Sequence, residues 1–199
     1  MNNPQRIGIY GGTFDPIHKT HVDAARAALG HAHLDVVFFV VAASPPHKRG
    51  EVFADAEDRL DMVCAAIADE PGMEASRIEM DRCGPSYTVD TLQELEGQYP
   101  GAHFFLILGQ DSLSDLLHWR DPQGILSRAQ LLVVPRPGIV LPPPRQLEGG
   151  FALLPFEESD LSSSDIRDRL CRGQAVWGCL AAGVQQIIRE RGLYQTCPS

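Results

Sequence analysis

Residues 35–42 read DVVFFVVA, an apolar run of β-branched and aromatic residues with no polar alternation. A strand with one face in water alternates apolar and polar positions, so this run demands burial on both faces. Shorter runs of the same kind recur at 6–10 (RIGIY), 103–108 (HFFLIL), 130–135 (QLLVVP) and 151–155 (FALLP), and helical patterns occupy about 21–30, 56–69 and 88–98. Strand and helix therefore alternate, which predicts an α/β fold: a doubly wound parallel sheet covered by helices. Ligands of such sheets bind at the carboxyl ends of strands, near the switch in strand order. The stretch 162–191 is helical again and predicts a small C-terminal helical appendage, with serines of SSSDIRDRL as N-cap and Asp165 in the first turn. Before it, PRPGIVLPPPRQLEGG from Pro135 to Gly150 predicts an exposed irregular connection. The 199 residues suffice for one sizeable core, so a single domain over 1–199 is expected, its helical part covering about 162–199.

Charge and cysteines narrow the function class. A net charge of −9 argues against a protein that holds nucleic acid through phosphate contacts, so an anionic ligand must meet a local basic site. Cys64, Cys83, Cys171, Cys179 and Cys197 form an odd set without a C-x-x-C pair, which predicts isolated reduced thiols. No signal-like N-terminus and no apolar run of membrane-spanning length occurs, so a soluble, cytoplasmic protein without membrane partners is expected.

Directly after the first apolar run comes GGTFDPIHKTHVDAA, from Gly11 to Ala25. Gly11 and Gly12 let the backbone pass close to a ligand, and Thr13 adds a hydroxyl and an N–H at the same turn. His18 and His21, three apart where a helix begins, project to one side, where their N–H groups can grip phosphoryl oxygens during transfer. Asp15 and Pro16 shape the turn that places them. The glycines alone would fit an ordinary strand-turn-helix; combined with Phe14, Pro16 and the histidine pair they point to a phosphate site. The P-loop ending and the G-x-G-x-x-G fingerprint are both missing, which disfavours a kinase-like ATPase or a dehydrogenase. Further groups fit the same chemistry. Lys48 in SPPHKRG can neutralise phosphate charge, or be a solvated loop lysine. Gly109 and Asp111 follow a strand; Asp111 can bind a ribose hydroxyl or a magnesium-bound water, or merely cap a helix. Arg136 offers another cation. Ser163 and Ser164 open a helix whose N–H groups can meet pyrophosphate, with Arg167 one turn on; a well-capped helix with an exposed arginine is the plainer alternative. In GPSYTVDTL, Thr88 can serve simply as an N-cap.

At these residues the chain resembles the nucleotidyltransferases with an H-x-G-H signature, and among them the bacterial nicotinate mononucleotide adenylyltransferases. The resemblance extends through PPHK at 45–48, GPSYTVDTL at 84–92, LGQDSL at 108–113, HW at 118–119, PRPG at 135–138 and LSSSDIR at 161–167, in order along nearly the whole chain. It implies a Rossmann-like fold and the reaction of ATP with nicotinate mononucleotide to deamido-NAD and pyrophosphate, with magnesium. It further implies that Tyr87 and Thr88 contact the nicotinate end and that Trp119 stacks on its ring. The chain departs from the family pattern at Thr20, where glycine is usual, which predicts crowding of the nucleotide. Ser162, Ser163 and Ser164 stand where Ser-Thr is common, and LAAGVQQIIRERGLY replaces the usual C-terminal residues in a region read as structural.

Together these groups predict in-line attack of the acceptor's 5′-phosphate on the α-phosphorus of ATP, without a covalent enzyme intermediate. His18, His21, Lys48 and Arg167 act on the phosphates. Gly11, Gly12, Thr13, Phe14, Gly109, Asp111, Ser163 and Ser164 bind ATP; Tyr87, Thr88, Trp119 and Arg136 bind the acceptor. Magnesium arrives with ATP and needs no direct side-chain ligand, and a homo-oligomer stays open. A transferase for another phosphorylated acceptor, such as phosphopantetheine, would share the histidines but not GPSYT and HW. A non-catalytic nucleotide-binding module follows if Thr20 blocks ATP.

Overall fold

The computed structural model describes residues 4–43, 53–136, 147, 149–157 and 159–195. Six strands form one sheet: β1 (Arg6–Gly12), β2 (Val36–Val41), β3 (Met73–Ser76), β4 (His103–Gly109), β5 (Ala129–Val134) and β6 (Phe151–Leu153). Their order is β3-β2-β1-β4-β5-β6, and every neighbouring pair is parallel. The helices are α1 (Lys19–His31), α2 (Ala56–Ile67), α3 (Thr88–Gln98), α4 (Gln110–Asp115), α5 (Pro122–Arg128), α6 (Ser163–Cys171) and α7 (Ala182–Arg191), with a 3₁₀ turn at Leu116–His118. This is the expected α/β, Rossmann-like doubly wound architecture.

The run at β2 shows why. All six of its residues are buried. Val37, Phe39 and Val41 join a core with Ala24, Ala28, Met62 and Val184 on one face, whereas Val36, Phe38 and Val40 join Leu92, Leu95 and Ile125 on the other. Each large side chain buried this way contributes about 1.5–3 kcal/mol, which makes the two-sided run a strong determinant of the fold.

Three expectations change. The strand at β3 was not anticipated: MEAS is short and keeps only Met73 buried, so it carries no apolar signature. The connection before β6 is not wholly exposed, because Leu147 is 1 % exposed and belongs to the second core. Cys64, Cys83 and Cys179 are free, but Cys171 is disulfide-bonded, against the expectation of isolated thiols. A bridge depends on proximity in the fold, which residue spacing does not reveal. The C-terminal helical part divides into α6 and α7; α7 lies on α2, with Arg191 pairing Asp58 at 2.5 Å and Asp61 at 2.7 Å. Among the described residues no helix is long and apolar enough to cross a membrane.

Candidate active site

The strand order reverses between β1 and β4, and the sequence motifs converge at the carboxyl ends of these strands. β1 runs out at Gly12, and the chain turns through Phe14 at φ 51 before α1 begins. That left-handed residue swings the Phe14 ring inward. It is 3 % exposed and packs against His21 (5.2 Å between ring centroids), Tyr10 and Phe39. Phe14 therefore packs its ring in the core and supports His21 from behind. A Cβ at Gly12 would strike this ring at 2.8 Å; one at Gly11 would meet no atom of the described residues within 4 Å. Gly12 is required by packing, while Gly11 leaves open space at the site.

His18 is the N-cap residue of α1 and His21 its third helical residue. Their ring centroids lie 3.8 Å apart, and the backbone N–H of His18 donates to Nδ1 of His21 at 3.2 Å. That bond leaves Nε2 as the proton-bearing nitrogen of a neutral His21. His18 is 5 % exposed, and burial, reinforced by the Arg136 cation, depresses its imidazole to about 4. It is neutral at pH 7, an N–H donor rather than a fixed cation. Its side chain turns to the first backbone N–H groups of α1, and Ser86 in the GPSYT turn is buried beside the Glu79 carboxyl, to which its side chain bonds.

Asp15 organises the turn. Its carboxylate accepts the N–H groups of Phe53 (2.8 Å) and Ala54 (3.1 Å), and its carbonyl accepts from Arg167 at 2.8 Å. Arg59, 1 % exposed, donates to the carbonyls of Thr13 and Ala42, both at 2.8 Å, and of Ala54 at 3.2 Å. Residues 44–52, with Lys48, lie outside the described residues.

From the far side, α6 closes in. Ser162 is its N-cap and accepts from the Asp165 N–H at 3.1 Å. Ser163 donates to the Pro16 carbonyl at 3.0 Å, and Arg167 lies 3.2 Å from Oγ of Ser164 and over the Phe53 ring at 4.4 Å. Arg167 is thus drawn onto the Asp15 turn and is not a free surface arginine. Beyond β4, Gly109 is the N-cap of α4, and Asp111 in its first turn pairs with Arg136 at 3.4 Å. Asp111 does not cap that helix. The His18 side therefore faces an arginine–carboxylate pair across the β1/β4 switch.

At the other end Tyr87, not Thr88, is the N-cap of α3, and it makes no side-chain cap, so the Thr88 hydroxyl is not used as one. Tyr87 and Trp119 are both half-buried at the fringe of the second core. Arg120 stacks on the Tyr87 ring at 4.7 Å and bonds Asp90 at 3.2 Å. Buried Glu79 accepts from Thr91 at 2.7 Å. Sequence reasoning missed Arg59, Glu79 and Arg120; an arginine or glutamate gives no local sign that it will be buried or stacked. Thr20 is half-buried and donates to Oγ of Ser159 at 3.2 Å.

Residues 9–169 match the cytidylyltransferase-like family. The chain is 42 % identical over 198 residues to a probable nicotinate-nucleotide adenylyltransferase of Gloeobacter violaceus, covering 96 % of both chains. It is 42 % identical over 192 residues to one of Thermus thermophilus, covering 96 % of this chain and all of that one. The Plasmodium falciparum nicotinic acid mononucleotide adenylyltransferase complexed with NaAD shares the fold, at TM-score 0.79 and 19 % identity, over 97 % of this chain and 98 % of that one. With matches of this length and identity, the chain belongs to the cytidylyltransferase-like family and, within it, to the nicotinate-nucleotide adenylyltransferases.

Proposed function

We propose that the protein transfers the adenylyl group of ATP to nicotinate mononucleotide, releasing pyrophosphate and forming deamido-NAD. The observation that carries this reading is the stacked pair of His18 and His21 at the start of α1, 3.8 Å between ring centroids, set at the β1/β4 switch together with Asp111 and Arg136. The acceptor's 5′-phosphate attacks the α-phosphorus in line. The neutral His18 and Nε2–H of His21 donate to the phosphate as charge shifts onto its oxygens, and Arg167 with the N-terminus of α6 receives the departing pyrophosphate. Lys48 adds a further cation. Asp111 lines the nucleotide side at β4, while Tyr87, Thr88, Trp119 and Arg136 hold the acceptor.

Among the described residues no three of His, Cys, Asp and Glu cluster as metal ligands, and Asp111 is engaged by Arg136. A magnesium ion brought in with ATP would be held at this end by Asp111. Such an ion neutralises phosphate charge. The chain acts as a single cytoplasmic domain, with no nucleic acid or membrane partner.

Purified protein with ATP and Mg²⁺ should release pyrophosphate with nicotinate mononucleotide at a kcat/KM above that for nicotinamide mononucleotide, because N–H groups near Tyr87 and Thr88 suit a carboxylate. Release only with phosphopantetheine, or with no acceptor, overturns the assignment.

A further inference from the structure

We infer that Tyr194 is a positioning residue of the transfer reaction, acting through Asp15 on the turn that carries His18 and His21; the inference rests on the phosphate role proposed for that pair. Tyr194 lies just beyond α7, 8 % exposed and at φ 61. A bulky side chain rarely adopts this left-handed conformation and keeps it only where surrounding contacts enforce it. Gly192, which caps α7 in the same conformation, turns the chain back toward the sheet. The tyrosine ring joins the first core, and its hydroxyl donates to Oδ1 of Asp15 at 2.7 Å. Burial and the Asp15 carboxylate both raise the phenol above its ordinary value, so it remains a donor throughout the working pH range.

With this bond the Asp15 carboxylate accepts three donors: Tyr194 and the Ala54 N–H on Oδ1, and the Phe53 N–H on Oδ2. Phe53 and Ala54 lead into α2, and α2 carries Arg59, which holds the carbonyl of Thr13. Asp15 stands three residues before His18. The hydroxyl therefore fixes the one carboxylate through which the entrance to α2, the C-terminal segment and the histidine turn meet. Phosphate contacts that matter only in the transition state are sensitive to sub-ångström displacement, so loosening this anchor lowers kcat more than ATP binding.

Tyr194→Phe removes one oxygen and leaves the ring in the core. It should lower kcat by about tenfold or more, with KM for ATP within about twofold and Tm nearly unchanged. In an Asp15→Ala background, which removes the acceptor, the same substitution should have little further effect, because the route runs through Asp15. A wild-type kcat for Tyr194→Phe overturns the inference. So does a rise in KM alone, a loss of rate fully explained by unfolded protein, or an undiminished effect in Asp15→Ala. Failure of the underlying phosphate reading looks different: His21→Ala would then keep its activity, whereas failure of the Tyr194 inference leaves His21→Ala inactive and Tyr194→Phe at full rate.

Discussion

At the proposed phosphate end, the turn between β1 and α1 is held from several elements at once: Arg59 from α2, Ser163 and Arg167 from α6, and Tyr194 beyond α7. The acceptor end is built more lightly. The turn before α3 leans on Glu79, whose carboxyl accepts from Thr91 while Arg82 donates to the same Thr91 hydroxyl at 3.0 Å, and on the exposed stack of Arg120 over Tyr87. Charge transfer demands fixed donors, because reorganising them during reaction would cost rate. Ring recognition tolerates adjustment. The two ends should therefore respond differently to perturbation, the first in kcat and the second in acceptor KM.

The largest test of that contrast is His21→Ala. Loss of a donor aimed at developing charge should lower kcat by about 10²–10³-fold, or about 2.7–4 kcal/mol, with the thermal midpoint little changed. Near wild-type pyrophosphate release would remove the phosphate end from the mechanism.

Acid should separate the two ends by sign. His18 titrates at about 4 in the fold against 6.5 when unfolded, so the unfolded chain takes the proton first. Its contribution is complete above pH 6.5 and lost as the pH falls toward 4, about 3 kcal/mol in all. Burial raises the Glu79 carboxyl, so the folded state takes that proton first and acid favours the fold there. Urea unfolding between pH 7.5 and 4 should show a shallower fall in stability for His18→Gln and a steeper one for Glu79→Gln. An unaltered slope for His18→Gln would contradict its buried, neutral state.

Gly11→Ala sharpens the phosphate end further. Among the described residues no atom stands within 4 Å of the added methyl, so stability should hold while ATP affinity drops by about tenfold from collision with the ligand. Unchanged affinity would place the nucleotide elsewhere. At the acceptor end, Glu79→Gln should raise the acceptor KM up to about fivefold, in line with one weakened hydrogen bond, and leave the ATP KM alone.

How far such contrasts are legible in sequence depends on the range of the interactions. β2 could be read because its two-sided burial is written in six adjacent residues, whereas β3, polar and short, could not. The histidine pair was legible because helical spacing places positions three apart on one face. The burial of the Phe14 ring was not legible, because it depends on a left-handed backbone that its motif does not announce. Arg59 and Tyr194 lay beyond reach for a different reason. Each serves the turn from 46 and 179 residues away, and nothing local distinguishes a buried arginine in an amphipathic helix from a solvated one. The C-terminal stretch that departs from the family pattern reads as structural in sequence, yet it delivers the hydroxyl that meets Asp15.

Thr20 gives the smallest expected effect and the finest comparison, since it stands between the phosphate turn and the C-terminal segment. Its hydroxyl is spent on Ser159, and its β-branched side chain occupies the position where the family's glycine lets the nucleotide approach. Thr20→Gly removes that bond and places glycine in the first turn of α1, so stability should fall by about 1 kcal/mol. ATP should bind a few-fold more tightly, because the backbone becomes free to approach the nucleotide. Calorimetric titration of ATP into both proteins, with unfolding followed in parallel, separates the two effects. Tighter binding with lower stability identifies Thr20 as a residue that trades affinity for the Ser159 contact. Unchanged or weaker binding would show that the Ser159 bond already holds the side chain clear of the nucleotide, and that the departure from glycine carries no penalty at the phosphate end.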